Sequence, residues 1–105
     1  MPVAADRLGA LVIEGTHIAL GVVRSLGRQG IPVWVLKGDF RLAAFSRYAR
    51  RALPWPAGNE DRQRDYLLDL AARHHLDGWA IFPTNDAGVS LLARHHAALA
   101  ERYCL

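Results

Sequence analysis

The stretch Ala10-Leu-Val-Ile-Glu-Gly15-Thr-His-Ile-Ala-Leu-Gly21-Val-Val-Arg24-Ser-Leu-Gly-Arg-Gln-Gly30-Ile-Pro-Val-Trp-Val-Leu36 decides the fold. Leu11, Val12 and Ile13 form an apolar run that is β-branched and too short for a buried helix, so they read as a buried strand. Gly15 ends that strand. Ala19, Val22, Val23 and Leu26 then recur at i, i+3, i+4 and i+7, the single apolar stripe of a helix packed on a core. Thr16 is suited to cap it, because its hydroxyl accepts from an orphan backbone N–H. Gly30 supplies a left-handed stop and Pro32 prevents continuation. Val33 to Leu36 read as a second strand.

The rest of the chain repeats the plan. Residues 40–50 read as a short helix through Leu42, Ala43, Phe45 and Ala49, or as irregular chain. Ala52-Leu53-Pro54-Trp55-Pro56 gives a brief third strand, pushed to an edge by its two prolines. Asn59, Glu60 and Asp61 open a helix striped by Tyr66, Leu67, Leu70 and Ala71 and closed near His74-His75. Trp79 to Phe82 form a fourth strand. Pro83-Thr84-Asn85-Asp86 turns into a last helix that reaches about Ala100, and Tyr103-Cys104-Leu105 starts a further strand. Alternating strands and helices predict a three-layer α/β/α domain around a four-stranded parallel sheet, joined by right-handed crossovers. The Rossmann-like order is 3-2-1-4, which puts the C-terminal ends of strands 1 and 4 on either side of a crevice where open α/β sheets bind ligands. Gly15-Thr16-His17 and Thr84-Asn85-Asp86 are the loops flanking it.

Composition bounds the function. The 105 residues are 51% hydrophobic and 22% charged, one globular domain, residues 1–105, with 1–8 as a loose lead-in. No apolar run approaches the roughly 18 residues of a membrane span, and the N-terminus lacks the basic-then-apolar order of a secretory leader. Cys104 is the single cysteine. It excludes an internal disulfide and a thiolate cluster and fits a reducing, cytoplasmic setting. Thirteen residues are basic, of which only Lys37 is lysine, and the net charge of +3 is too weak and dispersed for a nucleic-acid interface.

These segments resemble the N-terminal, pre-ATP-grasp domain of ATP-grasp carboxylate–amine ligases. The likeness rests on Gly15 with its short polar loop, on Ala19-Leu-Gly-Val-Val-Arg24-Ser-Leu-Gly27-Arg-Gln-Gly30-Ile-Pro-Val33, on Ser46-Arg47-Tyr48 before the third strand, and on Asp77-Gly78-Trp79-Ala-Ile-Phe-Pro83-Thr-Asn-Asp86. The resemblance implies a multidomain ligase in which other domains hold ATP and Mg²⁺, a carboxylate becomes an acyl phosphate, and an amine displaces phosphate. On that plan this chain stops where the ATP-grasp region begins. It is therefore expected to be inactive alone, to carry no cofactor or metal itself, and to work with ATP-grasp domains downstream or on a separate polypeptide. Its partners would be those domains and a small carboxylate substrate, and an unclothed docking face predicts self-association as a two-fold dimer.

The candidate ligand-binding residues are Gly15, Thr16, His17, Ser46, Arg47, Thr84, Asn85 and Asp86. Each has a plainer reading beside the functional one. Thr84, Asn85 and Asp86 are also good helix-entry residues, and His17 also reads as a solvated loop histidine. Ser46 and Arg47 suit a substrate carboxylate, a planar guanidinium matching its two oxygens, or an ordinary surface. His74-His75 and His95-His96 do not read as metal sites, since adjacent helix residues point about 100° apart. Trp34, Trp55 and Trp79 read as core or domain-face residues, Trp55 as a docking anchor if exposed. A competing reading is a stand-alone Rossmann-like module for a nucleotide or small anion. It lacks both G-x-G-x-x-G and Gly-Lys-Ser/Thr. A phosphoacceptor receiver domain is a weaker competitor, because strand 1 ends Ile13-Glu14-Gly15 and strand 3 ends in Trp55-Pro56.

Overall fold

Leu11, Val12 and Ile13 sit at the middle of strand β1 (Ala10–Gly15) and are almost completely excluded from solvent, in a computed structural model that describes residues 8–15, 17–41 and 46–105. They are covered on both faces because β1 is the central strand of a sheet clothed by helices. It pairs in parallel with β2 (Val33–Arg41) on one side and β4 (Ala80–Pro83) on the other, while β3 (Ala49–Pro54) lies outside β2. The strand order is β3-β2-β1-β4, all parallel, the doubly wound topology expected from the sequence.

Alternation along β1 divides the core. Leu11 and Ile13 face one layer with helix α2 (Glu60–His74), helix α3 (Asp86–Arg94) and the short helix α4 (His96–Leu99), through Leu67, Leu70, Leu91 and Leu99. Val12 faces the other layer with helix α1 (His17–Arg28), where Ala19 and Val23 are fully buried. The chain thus passes from one face of the sheet to the other as it moves from the β1–β2 crossover to the β3–β4 crossover. That switch is what opens a crevice between β1 and β4.

Local chemistry sets the helix ends. Gly30 takes φ +82°, with Gly30 N–H donating to Gly27 O and Ile31 N–H to Leu26 O, a Schellman stop that closes α1. Asn59 caps α2 by accepting from Arg62 N–H. At its other end His75, not a glycine, takes the left-handed conformation at φ 58°, and Leu76 N–H donates to Ala71 O as Leu76 enters the core.

Three elements differ from the sequence reading. β2 continues past Leu36 to Arg41, with an irregular register against β1 between Ile13 and Gly15. β3 begins at Ala49, with its prolines confined to its last residue and the chain beyond. The final helix is broken at His95 into α3 and α4. Trp55 is 9% exposed and packs edge-on against Tyr66 in the main core, so it is not a docking anchor. Cys104 continues the sheet beyond β4 by a single parallel bridge to Ala80. Residues 1–7, Thr16 and the Leu42–Phe45 part of the expected short helix lie outside the described residues. Among the described residues no helix is long and apolar enough to cross a membrane.

Tyr103 fastens the C-terminal segment to α2, its phenol donating to Leu67 O at 2.6 Å. Burial, and secondarily the nearby Asp77 carboxylate, pushes that phenol well above the ordinary tyrosine range. The folded state therefore holds its proton more tightly than the unfolded chain. Stability from this group is complete below about pH 10 and declines as pH rises beyond it. Tyr103→Phe is expected to cost about 1 kcal/mol at neutral pH and to flatten the alkaline decline, read by urea denaturation across pH.

Candidate functional site

Because β1 and β4 are parallel and in register from Ala10↔Ala80 to Ile13↔Pro83, both strands finish at the same end of the sheet. Gly15 and His17 leave from one, Thr84, Asn85 and Asp86 from the other. The expected pairing of these loops across the switch point is present. Thr84 bridges them directly, its hydroxyl donating to Ile13 O at 2.7 Å. Asn85 is the N-cap of α3, its side-chain oxygen accepting from Gly88 N–H at 2.8 Å. These two side chains are thus engaged in holding the crevice together. His17 and Asp86 open α1 and α3 respectively, and both are exposed and uncommitted to any other described side chain. Thr16 lies outside the described residues.

Beside these loops, on the α2 and α3 face, is a cavity of about 380 Å³. Its wall includes Glu14, Lys37, Gly38, Trp55, Gln63 and Ala87. Sequence reasoning missed it, although each contributor follows from the topology. Glu14 is the penultimate residue of β1, Lys37 and Gly38 lie in β2 just beyond Leu36, the partner of Ile13, and Gln63 and Ala87 stand in the first turns of α2 and α3. Asp86 does not line it, but its neighbour Ala87 does, as does Glu14.

Glu14 carries backbone strain: its φ is 77°, a region that side chains with a Cβ rarely occupy. The turn delivers its half-buried carboxylate onto Gly38, where an added methyl would stand 3.1 Å from Glu14 Oε2. Strain of this kind costs on the order of 1–3 kcal/mol and collects at binding sites. No ion pair joins Glu14 to Lys37, so among the described residues both an anion and a cation remain open to a ligand. Gln63 braces the rim by donating to Pro56 O at 2.7 Å. The arrangement offers an ammonium, a carboxylate and the N-terminal turn of α3 to one small polar ligand.

Ser46 and Arg47 are elsewhere. They immediately precede β3, whose first residue Ala49 pairs with Val33, the first residue of β2. A parallel strand starts where its neighbours start, so Ser46 and Arg47 stand at the opposite end of the sheet from Gly15 and Asp86. There they meet Arg24, Arg28 and Tyr48 around a second cavity. The seven described residues among the eight singled out from sequence therefore divide between two places. Among the described residues, no group of three His, Cys, Asp or Glu side chains is placed to hold a metal ion.

No protein-family model, curated protein or solved structure matches this chain.

Three substitutions separate bracing from binding. Thr84→Val and Asn85→Ala are each expected to lower stability by about 1 kcal/mol. Asp86→Ala, which leaves the Asn85 cap intact, is expected to stay within about 0.5 kcal/mol of the parent. Denaturant midpoints at neutral pH give the comparison.

Proposed function

We propose that this chain is the N-terminal, substrate-side domain of an ATP-grasp carboxylate–amine ligase, cytoplasmic and not catalytic alone. The observation that carries the reading is the crevice at the C-terminal end of a parallel 3-2-1-4 sheet, with the Pro83-Thr84-Asn85-Asp86 loop on one side and Glu14 and Lys37 open within it. A substrate carboxylate fits the Lys37 ammonium, and an amine or hydroxyl of the same molecule fits Glu14. Ile18 and Val89, each 55% exposed, stand in the first turns of α1 and α3 at this end of the sheet. They suit the apolar edge of a second domain closing over the crevice.

ATP and Mg²⁺ belong to the reaction of such a ligase when bound, activating the carboxylate as an acyl phosphate. The sequence has one lysine, and among the described residues no group of three His, Cys, Asp or Glu side chains converges. No step of phosphoryl transfer is assigned to these residues. Their work is to bind and orient the carboxylate-bearing substrate against the charge-neutralising groups of neighbouring domains.

A second reading is a stand-alone nucleotide- or small-anion-binding module, favoured by the helix α1 that opens directly from the end of β1. Solution titration discriminates. With the 105-residue chain, a panel of amino-acid carboxylates is expected to perturb the amide resonances of Gly15, His17, Gly38 and Asp86 at millimolar concentrations, and Lys37→Ala to remove the effect. No magnesium-dependent ATP turnover is expected. Micromolar binding of ATP or NAD would favour the stand-alone module, and ATP turnover by the pure chain would overturn the ligase-domain reading.

A further inference from the structure

At the N-terminal end of the sheet, opposite the crevice, Arg24, Arg28, Ser46, Arg47 and Tyr48 line a cavity of about 580 Å³. Arg24 and Arg28 are one helical turn apart on α1 and so project from the same face. Arg47 comes to them from the turn before β3. The position of that turn is fixed by close packing: a Cβ on Gly27 would overlap the Cβ and ring of Tyr48, so the bare helix surface at Gly27 is what seats the turn against α1. Ser46 Oγ accepts from Tyr48 N–H at 3.2 Å, which shapes the turn and leaves the serine proton free to donate among the described residues. Arg47 Nη2 donates to Tyr48 Oη at 3.0 Å.

The charge here is unbalanced. Among the described residues no carboxylate pairs with Arg24, Arg28 or Arg47, although Arg64, Arg73, Arg94 and Arg102 all have acidic partners. The helix macrodipole accounts for Arg28 in the last turn of α1. It accounts for neither Arg24, a turn earlier, nor Arg47, which is not on the helix. The Arg47 hydrogen bond holds the Tyr48 hydroxyl below the usual tyrosine range, a second sign of positive potential in the cavity. Three guanidiniums and a serine hydroxyl, all donors, around a concave space are complementary to a compact anion with several oxygens.

We propose that Arg24, Arg28, Arg47 and Ser46 form a binding site for a phosphoryl dianion, carried by a phosphate monoester or by free phosphate, separate from the crevice at the other end of the sheet. A single carboxylate has two oxygens and one charge, and leaves one guanidinium unanswered. A phosphoryl group has three terminal oxygens and answers all three. The site does not depend on the ligase-domain reading, because it shares no residue with the crevice.

Calorimetric titration of the 105-residue chain with inorganic phosphate, methyl phosphate, acetate and a polyglutamate peptide tests this. Saturable one-to-one binding of a phosphoryl probe is expected, weakened as potassium chloride is raised. Arg24→Ala and Arg47→Ala are each expected to weaken it by about tenfold or more. Arg47→Lys should recover little of that loss, since a point charge lacks the guanidinium fork. Arg94→Ala, on a paired arginine in α3, is expected to leave binding unchanged. Tighter binding of methyl phosphate supports the site with a monoester as its ligand, and tighter binding of inorganic phosphate supports it with the free ion. The proposal is overturned by absence of saturable binding at millimolar phosphate, by equal weakening in Arg94→Ala, or by acetate or a polyglutamate peptide binding as tightly as phosphate. The last result would assign the surface to an acidic protein segment.

Discussion

The structure depends on β1 being bonded along both edges and covered on both faces. Ala10 N–H donates to Pro32 O, and Ala80 N–H donates to Gly9 O, so the strand is engaged from its first residue by β2 on one side and β4 on the other. A buried strand without such partners would strand its peptide groups away from water, at a cost that no side-chain packing recovers. The fit at its entrance is close: a Cβ on Gly9 would come within 2.8 Å of the Trp79 indole. Trp79 in turn meets Trp34 edge-on at 5.3 Å, tying β4 to β2 across the central strand. Removing β1 would remove the reason for both sheet halves to adjoin.

The fold was legible because hydrophobic period and glycine punctuation agreed. Leu11 to Ile13 could only be a short buried strand, and Ala19, Val22, Val23 and Leu26 could only be a helical stripe ended by Gly30. Pro54 and Pro56 pointed to an edge strand, and β3 is one, with Pro54 its last paired residue opposite Lys37 and Pro56 beyond the pairing. The left-handed cap at His75 carries no glycine to announce it, although His74-His75 marked the helix end. The break at His95 falls within a run whose composition is helical throughout.

The site was legible in part for a related reason. The topological switch point is a property of strand order, so the Gly15 and Asp86 loops could be placed together from sequence. Ser46 and Arg47 were named as candidates for a substrate carboxylate without a place relative to the crevice, and the parallel direction of β3 puts them at the other end of the sheet. Glu14, Lys37 and Gln63 were passed over because none belongs to a recognisable motif. Their significance arises only when the register of β1 and β2 and the first turns of two helices bring them around one space. The two ends of the sheet differ in character as a result. One offers an acid and an amine to a polar molecule with both kinds of group, and the other presents three arginines beside a serine and a tyrosine hydroxyl.

Gly27 has an effect that reaches beyond its own turn of helix. Its missing side chain is the socket into which Tyr48 fits, so the last turns of α1 and the segment entering β3 touch as one body. Anything held between Arg24 and Arg47 would clamp those two pieces from outside, while Tyr48 clamps them from within. Fraying of α1 would then be resisted at its C-terminal half far more than at the exposed first turn around His17. Deuterium uptake along the helix should become lopsided when an anion is seated, slowing at Gly27 and Arg28 while the opening residues exchange as before.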